Sequence, residues 1–144
     1  MRQEPIQSVE LSTIAHATED PSKVDKALQN LLLGIYQPFT RRYLEGHHGN
    51  PIVKIEVKLM SENAGQFAHS LVRKLSKSTR LNLLRDLQLH SDDDGNLYIR
   101  VDKQRLLQSN FQITEDDPIR VKIKFNRLMG DYKKSMMTFL ESGD

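Results

Sequence analysis

Arg120, Lys122 and Lys124 interleave with Ile119, Val121, Ile123 and Phe125. On an extended strand this alternation sets the cations on one face at roughly 7 Å intervals. That step is close to the phosphate spacing of a nucleic-acid strand, so the face can track a polyanion by charge. A solvated sheet face uses the same residue types, and charge alone leaves both readings open. Aromatics of the kind that stack bases on the sheet of the common RNA-binding module are scarce. Tyr98 is the one aromatic expected on a polar strand face. Contact with RNA would therefore rest on electrostatics and shape.

Other residues able to do chemistry are not arranged for it. The histidines are His16, His47, His48, His69 and His90, with no pair at the i, i+4 spacing of a helical zinc site. His47-His48 falls in a Gly/Asn/Pro loop, where a metal would need carboxylates from elsewhere. A loop-shaping role is the expectation, with metal-dependent hydrolysis through that loop as a third reading. Asp92-Asp93-Asp94-Gly95-Asn96 has the start of a calcium loop, but Leu97 stands where Gly is required and Lys103 where a bidentate Glu is required. A tight Asp-Gly turn is expected instead. Nucleophile-elbow and Gly-rich phosphate-loop patterns are missing. We expect no catalytic residues, no metal and no cofactor.

The chain has 144 residues, with Lys plus Arg 21 and Asp plus Glu 19, a formal net charge of +2. That length suits one domain with one core. The small net charge hides segregation. Arg73, Lys74, Lys77, Arg80 and Arg85 face only Asp86 across 70–87, and Arg127, Lys133 and Lys134 extend the cationic strand against Asp131. Acids dominate 89–117. Local field governs association more than the total does. The absence of cysteine excludes a disulfide framework and thiolate metal sites. With no apolar leader in 1–10 and no apolar run near the ~20 residues of a membrane helix, a cytoplasmic protein is expected.

Periodicity supplies the elements that must hold these residues. Strands are expected from Ile6 onward, over Val53–Leu59, over Leu97–Val101 and over Ile119–Phe125. Asp20-Pro21 starts a helix with Val24, Ala27, Leu28, Leu31 and Leu32 inward. Asn63 and Gln66 have capping-box spacing before the stripe Ala64, Phe67, Ala68, Leu71, Val72 and Leu75. A break at Ser78–Arg80 precedes a short helix with Leu81, Leu84 and Leu87 inward. Asp102 caps another through Gln108. Residues 36–50 read as a loop. Tyr132, Met136, Phe139 and Leu140 make the 126–144 tail helical, by core packing or as a dimer-forming segment. Because each strand has one polar face, the fold class is α+β: a curved, mainly antiparallel or mixed sheet of four to five strands with helices on one face.

Four segments together carry a family resemblance: Thr18-Glu19-Asp20 with Lys23-Val24 and Ala27-Leu28; Gly46 through Ile52; Gly95 through Gln104; and Asp117 through Lys122. Their order and spacing over residues 6–125 resemble an archaeal family of small RNA-binding proteins described as exosome subunits or exosome-associated. The resemblance implies a fold similar to the ribosomal protein that binds 5S RNA. It marks His48, Asn50, Arg100, Asp102, Lys103 and Gln104 as family-like polar positions. Ser109-Asn110 departs from the family, which has Gly there; Asn110 is expected in the left-handed cap conformation. Asp102 as a cap and Asn50-Pro51 as a turn are structural readings, and the role of His48 and Asn50 is open. Arg100, Lys103 and Gln104 would meet at a strand end and helix start, where an anion is favoured. Arg and Lys would contact phosphate, and Gln a base edge or 2′-hydroxyl.

The RNA-binding set expected is thus Arg100, Lys103, Gln104, Arg120, Lys122 and Lys124. The leading reading is a non-catalytic RNA-binding protein, accessory to the exosome or other RNA processing, as monomer or homodimer and without a membrane partner. The competing reading is a protein-interaction module of such a complex that touches no RNA. A stripe joining Arg73, Arg100, Lys103 and Lys122 on the folded surface would favour the first.

Overall fold

The alternating segment near the start forms β1 (Ile6–Ala15), the centre of the sheet. It pairs antiparallel with β3 (Pro51–Met60) on one side and with β5 (Pro118–Phe125) on the other. Beyond β3 lies β2 (Thr40–Glu45), and beyond β5 lies β4 (Asn96–Asp102), both antiparallel to their neighbours. The order is β2-β3-β1-β5-β4. The computed structural model describes residues 5–46 and 48–143. His47 lies outside them, and with it half of the His47-His48 loop reading.

One face of the sheet is apolar because every strand but β2 alternates. Val9, Leu11, Ile55, Val57, Leu59, Ile99, Val121 and Ile123 are buried together. The helices cover this face. α1 (Pro21–Leu32) begins where the Asp20 carboxylate accepts from the Ser22 amide, and ends at Leu33 in the left-handed region (φ 53°). α2 (Ser61–Lys74) buries Ala64, Phe67, Ala68, Leu71 and Val72. α3 (Lys77–Arg85) and α4 (Tyr132–Glu141) complete the layer, with Met136, Phe139 and Leu140 of α4 in the core. Each large apolar side chain so buried contributes about 1.5–3 kcal/mol. The Met136–Phe139–Leu140 stripe is therefore spent inside this chain.

Several local expectations need correction. β2 occupies part of the expected loop. α2 starts at Ser61, two residues before Asn63, and has no side-chain cap. The break before α3 falls at Leu75-Ser76, and Ser76 Oγ caps the helix by accepting from the Thr79 amide. In α3 the buried residues are Leu83 and Arg80, whereas Leu81 is exposed. Asp102 caps a 3-10 turn over Arg105–Gln108, accepting from the Gln104 and Arg105 amides. Ser109 rather than Asn110 takes the left-handed conformation after it (φ 55°).

Candidate nucleic-acid interface

The sheet face opposite the helices is open. Alternation places Glu10 and Ser12 of β1, Lys54, Glu56 and Lys58 of β3, Tyr98 and Arg100 of β4, and Arg120, Lys122 and Lys124 of β5 on it. Register fixes their neighbours. Arg100 stands directly opposite Arg120, Tyr98 opposite Lys122 and Asn96 opposite Lys124. Across β1, Ser12 lies between Arg120 and Glu56, and Glu10 between Lys122 and Lys58. Arg42 of β2 continues the face opposite Lys54. The centre of the face is a shallow depression of about 450 Å³, lined by Glu10, Lys54, Lys58, Arg100, Arg120 and Lys122 among others.

The two sides of this face differ in charge balance. On the β3 side the carboxylates are engaged: Arg42 holds Glu56 at 2.6 Å, and Lys58 lies 3.8 Å from Glu10. On the β5 side, Arg120, Lys122 and Lys124 form no salt bridge among the described residues. Arg100 is 3.4 Å from Glu115, whose carboxylate is mostly exposed. Like charges directly opposite in a ladder are destabilising. The Arg100–Arg120 pair is a small cost carried by the free protein, eased on the Arg100 side by Glu115.

The acidic turn closes one end of β4. Asp92 Oδ1 accepts from the amides of Asp94 and Asn96, and Oδ2 accepts from Asn96 Nδ2 and the Tyr98 hydroxyl, all at 2.8–3.0 Å. Partial burial pushes the Asp92 carboxyl up, but hydrogen bonds from the Asn96 side chain and amide, Tyr98 and Asp94 outweigh it and hold the carboxyl at about 2. The Asn96 amide is oriented by this carboxylate, which turns Oδ1 away and leaves it buried without a donor. A carboxyl lowered on folding stabilises the protein above its ordinary value of 3.8, and that contribution is lost as pH falls toward 2. The thermal midpoint of Asp92→Asn is therefore expected below wild type at pH 7, with the gap closing near pH 2. A gap independent of pH would contradict this account.

Lys103 and Gln104 do not join the cations. Lys103 is 2% exposed. Its ammonium donates to the Ile14 carbonyl and Glu19 Oε1 and pairs with Asp117 Oδ2, each at 2.9 Å. All three of its donors are used, so the expected phosphate contact is replaced by a buried ionic tie. His16 Nε2 lies 3.1 Å from Asp117 Oδ1. The Asp117 carboxyl is pushed up by partial burial and held below its ordinary value overall by Lys103 and His16. His16, Glu19 and Asp117 offer oxygen and nitrogen atoms within 4.8 Å of one another, a spacing a metal could use. The Lys103 ammonium already sits among them, and a second cation would have to displace it.

Gln104 is exposed at the 3-10 turn, away from the open face. Arg73 is on α2, in the opposite layer, so the stripe from Arg73 through Lys103 to Lys122 does not form. Of the expected set, Arg100, Arg120, Lys122 and Lys124 share one surface. Lys54, Lys58 and Arg42 belong to it too. Lys54 and Lys58 were visible in the Val53–Leu59 alternation, but nothing in the sequence places that strand beside β1. His48 and Asn50 lie at the β2–β3 turn, where the Gly46 amide donates to the Asn50 carbonyl at 2.6 Å. Among the described residues no helix is long and apolar enough to cross a membrane.

An open antiparallel sheet backed by helices, with a cationic ladder on its bare face, defines an α+β scaffold suited to polyanions. Residues 8–125 match the family described as RNA binding, and the chain belongs to that family. It is 35% identical over 123 residues to a Pyrococcus abyssi protein named as RNA-binding, covering 81% of this chain and 80% of the relative. Among solved structures, an Archaeoglobus fulgidus protein of the DUF54 family matches with TM-score 0.81 and 28% identity, covering 95% of this chain and 99% of that one. A DUF54 protein from Methanothermobacter thermautotrophicus matches with TM-score 0.76 and 25% identity, covering 96% and 98%.

Proposed function

We propose that this protein binds RNA through the open sheet face, as a non-catalytic accessory of RNA processing. The observation that carries this reading is the Arg100–Arg120 pair: two arginines stand directly opposite each other across the β4–β5 ladder, and a phosphate held by both would offset their like charge with two charge-assisted contacts. Lys122 and Lys124 continue the track along β5 at roughly two-residue steps of 7 Å. The family description and the name of the Pyrococcus relative support RNA as the polyanion. The exosome, or another processing assembly, is the setting that the sequence resemblance implies.

The test is fluorescence anisotropy with pooled structured cellular RNA. Four phosphate contacts give a slope of log affinity against log salt of roughly −3, so raising salt from about 50 mM to about 200 mM weakens binding some ~50-fold. No binding at the lower salt would refute the reading.

A further inference from the structure

The two edges of the sheet are treated differently. On the β4 edge, outward backbone groups near both ends of the strand are engaged. The Tyr98 amide donates to the His90 carbonyl, the Asp102 amide to Gln112, and Arg100 accepts from the Thr114 amide. On the β2 edge, all six residues from Thr40 to Glu45 are exposed, and among the described residues β3 is the strand's one partner. A bare edge is a template for another strand.

The hydrogen-bond parity of that edge follows from the turn. The Gly46 amide donates to the Asn50 carbonyl, so 46 and 50 are a hydrogen-bonded pair. Pro51, which has no amide hydrogen, then faces Glu45 at a non-bonded position. Alternation along an antiparallel ladder turns the amides and carbonyls of residues 44, 42 and 40 toward β3, and those of 45, 43 and 41 outward. An added antiparallel strand must match outward groups with outward groups.

We propose that the second strand is β2 of another copy of this chain, paired about a two-fold axis through Tyr43. In this register Tyr43 faces the partner copy's Tyr43, and Arg41 faces its Glu45, twice. All these are outward-parity residues on the helix side of the sheet. A two-fold between residues would set outward groups against inward ones. A two-fold through Arg42 would oppose the arginines, and one through Leu44 would shorten the ladder to three residues. The Tyr43 register alone joins full parity to charge complementarity. The side chains are prepared for it. Tyr43 is 77% exposed, and among the described residues neither it nor Glu45 has a side-chain hydrogen bond or salt bridge. Arg41 is held in place by Asp25 at 2.8 and 2.9 Å and lies 5.7 Å over the Phe39 ring. Its Nε hydrogen is not used by Asp25. The two open faces then lie on the same side of one continuous ten-stranded sheet.

Sedimentation equilibrium on the full chain tests this. Wild type is expected at twice 16.6 kDa at micromolar concentration. Tyr43→Pro removes an outward amide hydrogen without touching the β2–β3 bonds, and Glu45→Arg sets arginine against arginine. Each is expected to raise the dimer dissociation constant at least about tenfold, with the thermal midpoint of the monomer retained. Monomeric wild type at hundreds of micromolar, or variants that dimerise as wild type does, would overturn the proposal. RNA binding by wild type is read separately, so either result stands without the other.

Discussion

Reversing the charge at Arg100, Arg120 and Lys122 together is expected to lower RNA affinity about a thousandfold at low salt and to flatten the salt slope by about two. Each position contributes one phosphate contact, and each glutamate adds repulsion. Stability is expected to fall only modestly, by under about 1 kcal/mol for Lys122→Glu, which sets a carboxylate opposite Glu10. The Arg100–Arg120 pair is already like-on-like, and its replacement by two glutamates keeps that cost. The exposed Arg100–Glu115 contact at 3.4 Å is of a class worth less than about 1 kcal/mol. Arg73→Glu with Lys74→Glu, on α2 in the opposite layer, is the control and should leave binding intact. If that pair weakened RNA binding as much as the triple variant did, the open face would not be the interface.

Lys103→Met is expected to cost about 3 kcal/mol or more, because it strands the Glu19 and Asp117 carboxylates beside each other without their cation. In a chain of this size that lowers the thermal midpoint by roughly 10 °C, readable by calorimetry. Well below the new midpoint, RNA affinity should match wild type. The opposite pattern, normal stability with lost binding, would return Lys103 to the phosphate set.

These two predictions rest on residues with different legibility. Arg120, Lys122 and Lys124 were readable because period-two alternation with Ile and Val specifies both strand and exposed face. Arg100 followed from the same logic on β4. The burial of Lys103 was not legible, for a physical reason. Lysine is rarely buried, and the partners that make burial tolerable, Glu19 and Asp117, are distant in the chain and meet it only when β1, β4 and β5 align. The resemblance had marked all three segments without showing that they converge. β2 was hidden differently. Thr-Arg-Arg-Tyr-Leu-Glu has no apolar alternation, because neither of its faces is buried; pairing with β3 makes it a strand. The short helix α3 was found, and Leu84 and Leu87 do pack against the core, but Leu81 is exposed and Arg80 is 6% exposed in its place. Its guanidinium donates at 3.4 Å to the Leu75 and Leu140 carbonyls.

The position of β1 bears on how the molecule is made. Of the five strands the central one is made before the others, and half of its ladder is supplied by β5, where Glu10 meets Lys122 and Ser12 meets Arg120. At synthesis rates of about 5–20 residues per second, β1 waits on the order of ten seconds for that partner. During this interval it can pair with β3 but not complete the sheet. The same wait applies to Glu19 and Lys103, which lack Asp117 until the last strand begins. The five-stranded sheet therefore closes only once β5 has been made, and chains truncated before residue 118 are expected to be targets for proteolysis.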